Sequence, residues 1–408
     1  MMKPKKILCI LSVLAISVLS AGCAGSQPVN DSRGAADSSA SGSAVQTDAL
    51  QFADDFLADL PECSTFETFT MTPKPDLSLD ALYEVFDQAV EQYFPGTFTD
   101  AEKESLYEIS GSDRNGEHIG GTYTALKDRY QKEDLPMPWL WFTCDKAMMQ
   151  MLPNGALQTE TGNVAYVLEY GAPGNIGMYC AADENPVKER IHIPLDGTVP
   201  DRTIKLLDGE VPLKEACAYT IDFLKKDFDP KTGNPELEPD IADIWLVEMK
   251  NGVTGLYMEL TMRYQGIRFD TSYKQDGQRS FYIYDKGEQL PYALQSAYVF
   301  MIEKEKFDSI MVFGTAHAQD LTDRQSCALK ISYQDAQEQL RGEVSNLANM
   351  LFTRAELVYL PKLNLDNLEN NSMQVRAYWK FRAENKTDQY SYVFYVDAET
   401  GEVDYYKY

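Results

Sequence analysis

The fold is decided by the stretch 374–383, which reads Gln374-Val375-Arg376-Ala377-Tyr378-Trp379-Lys380-Phe381-Arg382-Ala383. Alternation with a period of two is typical of a β-strand that has one face against a core and the other toward water. We therefore predict a strand that is half buried and half wet. Its predicted core face carries Val375, Ala377, Trp379, Phe381 and Ala383, and its predicted solvent face carries Gln374, Arg376, Tyr378, Lys380 and Arg382.

A helix and a hairpin flank this strand in the sequence. Ser332, followed three residues later by Asp335, has the spacing of a helix cap, and the apolar positions that follow have helical spacing. After the strand, the stretch from Asp397 to Gly401 predicts a tight hairpin turn, in which glycine supplies the positive φ. The predicted apolar face of the helix comprises Ala336, Leu340, Val344, Leu347 and Leu351.

Two earlier segments repeat the order of a helix followed by antiparallel strands. The first has a helix from Ser78 that Pro95-Gly96 ends, a shorter capped helix from Thr99 toward Ile109, and a polar loop over 110–121. The second has a helix over about 211–228, a loop to Asp240, and a two-residue hairpin at Asn251-Gly252. Further hairpins are predicted at 154–155 and 276–277, and the stretch 297–313 fits either strand–turn–strand or helix–strand.

These patterns predict an α+β protein of two or three domains. Each domain is expected to be an antiparallel β-meander with an amphipathic helix on one face, an α-β-β-β unit. The predicted division is an N-terminal α+β domain at 51–200, a middle one at 201–325 and a C-terminal one at 326–408.

The C-terminal residues carry a family resemblance. Ile331-Ser332-Tyr333-Gln334-Asp335-Ala336, then Trp379-Lys380-Phe381, then the stretch 396–403 around Asp397-Ala398-Glu399-Thr400-Gly401 is similar to PepSY-type domains. It also resembles extracytoplasmic regulatory proteins and surface lipoproteins of Gram-positive bacteria. The resemblance covers roughly the last 80 residues, and 211–284 looks like a fainter second copy. It implies an α-β-β-β unit that acts outside the membrane in binding or inhibition.

The N-terminus has the order of regions found in a secretory signal peptide. Lys3, Lys5 and Lys6 precede a 13-residue apolar run, Ile7 to Leu19, which is too short for a permanent membrane span. The run ends in Leu19-Ser20-Ala21-Gly22-Cys23, which resembles a bacterial lipobox with Ser20 in place of the commoner leucine. We expect residues 1–22 to be removed and Cys23 to receive the lipid anchor. The alternative is an ordinary signal peptide with an incidental cysteine.

The composition predicts how the chain is tethered and which class of partner its charge excludes. Residues 23–50, rich in Ser, Gly and Ala, are expected to form a flexible tether with a reach of about 30 Å. The 37 basic and 63 acidic residues give a net charge of −26, and removing 1–22, with its three lysines, would leave −29. Such a surface repels nucleic acid. We expect an extracytoplasmic protein on the outer face of the cytoplasmic membrane.

Five cysteines follow Cys23 without the spacing of a metal site. An odd number leaves at least one thiol free in a monomer, and we expect buried, unpaired cysteines, with one or two disulfides as the alternative. Their pairing is not predicted. They are Cys63, Cys144, Cys180, Cys217 and Cys327.

No catalytic, metal or cofactor motif is found in the sequence. The three histidines, His118, His192 and His317, are scattered, with His192 predicted on the polar face of a strand. Asp227, Asp229 and Glu238 resemble a calcium loop only in part, because Lys231 and Gly233 break its pattern. Among the 63 acidic residues, the sequence leaves open a pair of carboxylates that would act as in glycosidases. The C-terminal tyrosines suit either a sheet or a binding surface. They are Tyr390, Tyr392, Tyr395, Tyr405, Tyr406 and Tyr408.

We therefore expect a non-catalytic binding or regulatory lipoprotein whose partners are the membrane, through Cys23, and a protein, peptide or cell-wall ligand. An exported hydrolase acting on wall glycan or peptide is the alternative. A site in which His192 or His317 meets a buried carboxylate and a nucleophile would favour that alternative. The hairpin-rich pattern disfavours a third class, the two-lobed transporter binding proteins.

Overall fold

The structure is a computed structural model. Its fold is α+β and consists mainly of antiparallel strands with a few short helices. All the residues that the structure describes belong to one compact unit, Asp48–Tyr408. The described residues are 50–61, 63–73, 78–93, 96, 98–133, 135, 139–144, 164–170, 176–182, 187–195, 199–226, 234–250, 252–270, 282–285, 288–291, 297–305, 307, 309–312, 319–343, 349–363, 372–387 and 390–407.

Five helices are described, and most begin where the sequence predicted. The capping box at Thr99 is present, since its hydroxyl accepts from the Glu102 amide at 3.4 Å and the Glu102 carboxylate accepts from the Thr99 amide at 2.9 Å. Ser332 and Asp335 cap the last helix in the same way. The helices are α1 (Leu79–Tyr93), α2 (Asp100–Leu106), α3 (Tyr123–Glu133), α4 (Leu213–Lys226) and α5 (Tyr333–Glu343).

Twenty-two strands are described. They are β1 (Gln51–Asp59), β2 (Thr65–Pro73), β3 (Glu108–Ser112), β4 (His118–Thr122), β5 (Trp139–Cys144), β6 (Val164–Tyr170), β7 (Ile176–Ala182), β8 (Val187–Ile193), β9 (Thr203–Leu206), β10 (Gly209–Pro212), β11 (Glu238–Met249), β12 (Thr254–Tyr264), β13 (Ile267–Phe269), β14 (Tyr282–Asp285), β15 (Glu288–Pro291), β16 (Ala297–Met301), β17 (Ser309–Val312), β18 (Gln319–Ala328), β19 (Met350–Leu363), β20 (Met373–Asn385), β21 (Ser391–Asp397) and β22 (Val403–Lys407).

Eighteen of these strands form one continuous hydrogen-bonded sheet with two regions. The first region is antiparallel, in the order β4-β3-β5-β6-β7-β17-β16-β12-β11-β8. The second is built on β19-β20-β21-β22, with β2 and β18 beside the start of β20. The short strand β13 joins the regions, because it pairs with β12 on one side and with β19 on the other.

Helices cover one face of each region. In the first region α1 lies against β5 and β6, α3 against β3 and β4, and α4 against β11. Phe86 of α1, Leu213 of α4 and Met258 of β12 belong to the same core. In the second region α5 packs on β19, β20 and β21, with Ala336 and Leu340 fully buried. The Trp379 indole N–H donates to the Ile331 carbonyl at 2.7 Å and fixes the start of α5 against β20.

Several local predictions are corrected by the structure. The stretch 110–121 is mostly the β3–β4 hairpin, since the Asp113 carboxylate accepts from the Asn115 and Glu117 amides, each at 2.8 Å, and shapes its turn. Val211 lies in β10, so the second helix begins later than predicted. Leu351 lies in β19 and not on α5.

Two of the described strand pairings are parallel, which the prediction of antiparallel meanders did not include: β1 and β13 each pair with β19. The predicted hairpin at 397–401 is present, β11 and β12 form the hairpin predicted next to Gly252, and the stretch 297–313 contains strands β16 and β17. Asn251 lies outside the described residues. The predicted turns at 154–155 and 276–277 lie outside the described residues.

Strand pairs cross both of the predicted domain boundaries. β1 and β2 pair with β19, β20 and β18, and β7 pairs with β17. Leu50, the last residue of the predicted tether, is buried in the C-terminal core. The division at residues 200 and 325 stays a prediction.

Candidate functional site

On the side of β20 that faces away from α5, Tyr378 and Lys380 are buried whereas Gln374 is exposed, which corrects the prediction of a wet face at Tyr378 and Lys380. Lys380 is only 2% exposed. Its ammonium group donates to the Asp270 carboxylate at 2.9 Å and lies 3.7 Å from the Glu356 carboxylate. The Tyr395 hydroxyl donates to the second oxygen of Asp270 at 2.5 Å. These partners come from β19, β21 and the residue just after β13.

Two β-bulges place the acidic side chains of this cluster. A bulge between Ile241 and Asp243 on β11 changes the phase of the strand, so that Asp240 and Asp243 both face away from the helices. A second bulge, between Phe352 and Arg354 on β19, does the same for Arg354 and the residues after it.

Arginines connect the acidic side chains of the two regions. The Arg268 guanidinium donates to Asp240 at 2.7 Å and lies 3.5 Å from Glu356. Arg354 donates to Glu356 at 3.2 Å and lies 3.7 Å from Asp243. Because the charges are paired in low-dielectric surroundings, each one compensates the desolvation of its neighbours. The cluster therefore holds the two regions of the sheet together.

The pairing also shifts the pKa values of the buried groups. Burial alone would raise the pKa of Asp243, but the hydrogen bond from His192 and the charges of Arg382 and Arg354 hold it below its ordinary value. Burial lowers the pKa of Lys380 even though Asp270 and Glu356 oppose this effect. Asp243 is therefore ionised throughout the neutral range.

Glu259, on β12, differs from every acid in this cluster. It lies directly across from Asp243 in the strand register, and its carboxylate has no hydrogen bond or ion pair within the part of the chain that the structure describes. Burial, followed by the charge of Asp243, raises the pKa of Glu259 to about 7, although Arg382 and Lys380 partly oppose the shift. A carboxyl group that titrates near neutrality without a partner is a candidate functional group.

Three aromatic residues occupy register positions next to Glu259 on the same side of the sheet. The ring centroids of Trp245 and Tyr257 are 5.6 Å apart at 65°, and those of Tyr257 and Tyr298 are 5.1 Å apart at 29°. The His192 ring lies 5.2 Å from Trp245. All three aromatic residues are half-buried. We call this surface the aromatic face; it comprises His192, Asp243, Trp245, Tyr257, Glu259 and Tyr298.

The strand register places these side chains together. His192, Trp245 and Tyr257 are direct cross-strand partners on β8, β11 and β12, and Glu259 is opposite Tyr298 of β16. Directly opposed residues point to the same side of a sheet. The other side of the same strands forms the core beneath α4.

The chemistry of the aromatic face suits binding better than acyl transfer. His192 hydrogen-bonds Asp243 at 3.1 Å, but no serine, threonine or cysteine bonds to His192 among the described residues. Within the described residues, the His192–Asp243 pair therefore lacks the nucleophile that acyl transfer would need. In the described ranges, no group of three or more His, Cys, Asp and Glu side chains is placed to hold a metal ion.

Many of the residues singled out in the sequence lie outside the part of the chain that the structure describes. Leu19, Ser20, Ala21, Gly22 and Cys23 lie outside the described residues, as do His317, Asp227 and Asp229. His118 lies on β4, far along the first region from His192.

The C-terminal tyrosines do not form one surface. Tyr395 is fully buried, whereas Tyr390 and Tyr405 are exposed. Cys63, Cys217 and Cys327 are free thiols, and burial raises the pKa of Cys217 to about 12. The side chains of Cys144 and Cys180 lie outside the description.

No protein-family model matches the chain, and no curated protein matches it. Among solved structures, it is similar to an uncharacterised protein from Eubacterium rectale ATCC 33656, with a TM-score of 0.48 and 8% identity over 86% of this chain and 91% of that one. It is also similar to the Bacillus megaterium YpeB C-terminal domain, with a TM-score of 0.34 and 13% identity over 82% of this chain and 99% of that one. Similarity at this level carries no statement about ligand or activity.

Proposed function

We propose that this chain is an extracytoplasmic lipoprotein that is anchored through Cys23 and acts as a non-catalytic binding module. Its ligand site is the aromatic face, and the ligand is a peptide or another component of the cell wall. The anchor rests on the order of charged, apolar and small residues before Cys23. None of the described helices is long and apolar enough to span a bilayer.

One observation carries the proposed binding site: three polar groups on the aromatic face have no partner within the described part of the chain. The Glu259 carboxylate, the Tyr257 hydroxyl and the Trp245 indole N–H have no hydrogen-bond partner among the described residues. Half-buried polar groups that the fold leaves unpaired are available to a ligand, and aromatic rings beside them supply contact area.

The anchor is tested by replacing Cys23 with alanine in the native host. We expect the C23A protein to be released into the medium or to remain unprocessed, with no incorporated lipid label. Cys9→Ala, inside the apolar run, is the matched control and should leave anchoring unchanged. A C23A protein that is still processed and lipid-labelled would exclude Cys23 as the acceptor.

The binding site is tested by titrating the full-length protein in detergent with soluble cell-wall fragments. Trp245→Ala should weaken binding at least tenfold, because it removes the central ring of the aromatic face. Tyr405→Ala is the control, since Tyr405 is an aromatic residue 57% exposed on β22, at the far edge of the second region. Equal affinities for the two variants would move the site away from the aromatic face.

A hydrolase is the second candidate, and one observation favours it. Asp243 and Glu259 are cross-strand neighbours whose pKa values shift in opposite directions, as in glycosidases that pair an ionised and a protonated carboxyl. The binding module remains the better proposal because Asp243 is already engaged by His192 and two arginines. Turnover of wall glycan that both Asp243→Asn and Glu259→Gln abolish would support the hydrolase instead.

A further inference from the structure

We propose that the aromatic face binds a peptide through a lysine-type side chain, whose ammonium group pairs with the Glu259 carboxylate. This inference rests on the proposed function and specifies the chemistry of its ligand. The contacts of Glu259, the geometry of the rings and the charge of the chain support it in turn.

Glu259 is the acid of the cluster whose carboxylate has no ion-pair partner among the described residues. Lys380 donates to Asp270, and Arg354 donates to Glu356, so the contacts of these two cations are directed to other acids. Arg382 lies 3.6 Å from Asp243 and acts on Glu259 only at longer range. An incoming ammonium group would therefore be the direct partner of the Glu259 carboxylate.

The rings beside Glu259 suit a cation on an apolar stem. Trp245 and Tyr257 meet at 65°, so they form a corner of two aromatic walls instead of a flat platform. Aromatic faces attract cations through their quadrupole, and the four methylene groups of a lysine side chain can pack against such walls. A corner next to a carboxylate fits this side chain better than the flat ring of a neutral sugar, which requires a stacking platform.

Charge complementarity extends beyond the site. The chain carries a net charge of −26, which attracts basic peptides and repels polyanions. An amino sugar also carries an ammonium group, but there it is attached directly to a polar ring. Because Glu259 is largely removed from water, a group at the end of a long stem reaches it more readily.

The pH dependence of binding separates this ligand from a neutral one. An ammonium group binds the ionised carboxylate, so affinity should rise as Glu259 loses its proton near pH 7. Asp243, whose pKa is held below its ordinary value, faces Glu259 from β11, and Arg382, Lys380 and His192 are the other charged or titratable groups that act on it from neighbouring strands. The Glu259→Gln variant isolates the contribution of Glu259.

The experiment is isothermal titration of the full-length protein in detergent with four probes at pH 6 and pH 8. The probes are the blocked tripeptide alanyl-lysyl-alanine amide, the same peptide with norleucine for lysine, a glucosamine trimer and an N-acetylglucosamine trimer. We expect the lysine peptide to bind at least tenfold more tightly than the norleucine peptide at pH 8, and more weakly at pH 6. Glu259→Gln should remove this preference, whereas Glu210→Gln, an exposed acid on β10, should preserve it.

Each outcome decides between the explanations. Equal binding of the lysine and norleucine peptides, or an unchanged preference in Glu259→Gln, would overturn the ammonium site. Tighter binding of the glucosamine trimer would replace the peptide with an amino sugar. Binding of the N-acetylglucosamine trimer alone, lost in Trp245→Ala, would refute this inference and leave the proposed binding function intact. If no probe binds, and if Trp245→Ala leaves the binding of wall fragments unchanged, both this inference and the proposed binding function are refuted.

Discussion

Replacing Lys380 with methionine should destabilise the protein strongly, because it removes one charge from a buried pair. Lys380 is 2% exposed and Asp270 is 5% exposed. Methionine preserves most of the apolar stem, so the loss is electrostatic. Removing one partner of a buried ion pair leaves an uncompensated charge and typically costs about 3–5 kcal/mol. We therefore expect the free energy of unfolding to fall by about 4 kcal/mol, the middle of that range.

The assay is urea denaturation followed by far-UV circular dichroism, which does not depend on the neighbouring Trp379. Lys132→Met is the control, because Lys132 pairs with Asp128 on the surface of α3 with both side chains more than 70% exposed. Such a pair contributes about 0–1 kcal/mol. A Lys380→Met variant no less stable than Lys132→Met would refute the reasoning about the buried cluster.

A double variant separates the charge from the packing. Asp270→Asn combined with Lys380→Met removes both charges and retains an acceptor for the Tyr395 hydroxyl. Because the uncompensated charge is then absent, the double variant should be more stable than Lys380→Met alone. Strictly additive losses would contradict the pairing.

Two further predictions concern β12 and its neighbours. The pKa of Glu259 is about 7 in the folded protein and ordinarily 4.5, so the folded state prefers the protonated carboxyl group. The stability that the protonated group contributes is therefore lost as pH rises from about 4.5 through 7. In denaturation curves, Glu259→Gln should match the wild type near pH 4.5 and be more stable by up to about 3 kcal/mol at pH 8. Gly255→Ala should lower the free energy of unfolding by about 1–3 kcal/mol, because a Cβ there would lie 2.3 Å from the Phe300 ring. Gly342→Ala on α5 should raise it by up to about 1 kcal/mol, because no atom lies within 4 Å of the added Cβ. Equal melting temperatures of the two variants would contradict this contrast.

The sequence predicted elements whose signals are local. The caps at Thr99 and Ser332 and the turn before Gly401 are all formed as predicted. Each depends on groups within five residues of one another, so a single sequence contains the full set of interactions.

The alternation of residues along β20 could not show whether the face that carries Lys380 meets solvent or other parts of the protein. The period of two shows correctly that Lys380 and Trp379 point to opposite sides. Whether the second side meets water depends on β13 and β19, and Asp270 is 110 residues away from Lys380 in the sequence. Charged residues on a strand are usually exposed, and the exception requires partners that the alternation does not reveal.

The aromatic face was missed for a related reason. His192, Trp245, Glu259 and Tyr298 come from four strands, and each appears in the sequence as an ordinary strand residue. The bulge at 241–243, which brings Asp240 to the same side of the sheet as Asp243, has no strong signature without glycine. The usable signal was the hairpin at Asn251-Gly252, because it fixes the register that opposes Asp243 to Glu259.

The most direct test of the account is the titration of the Glu259 side-chain carboxyl by carbon-13 NMR, with Glu259→Gln used to assign the signal. In the free full-length protein we predict a midpoint near pH 7. Saturation with the lysine tripeptide should move this midpoint downward, because the ammonium group stabilises the carboxylate. The norleucine tripeptide should leave it in place. A midpoint near 4.5 in the free protein, or one that the lysine peptide does not move, would contradict the assignment of Glu259 as the ligand-binding acid.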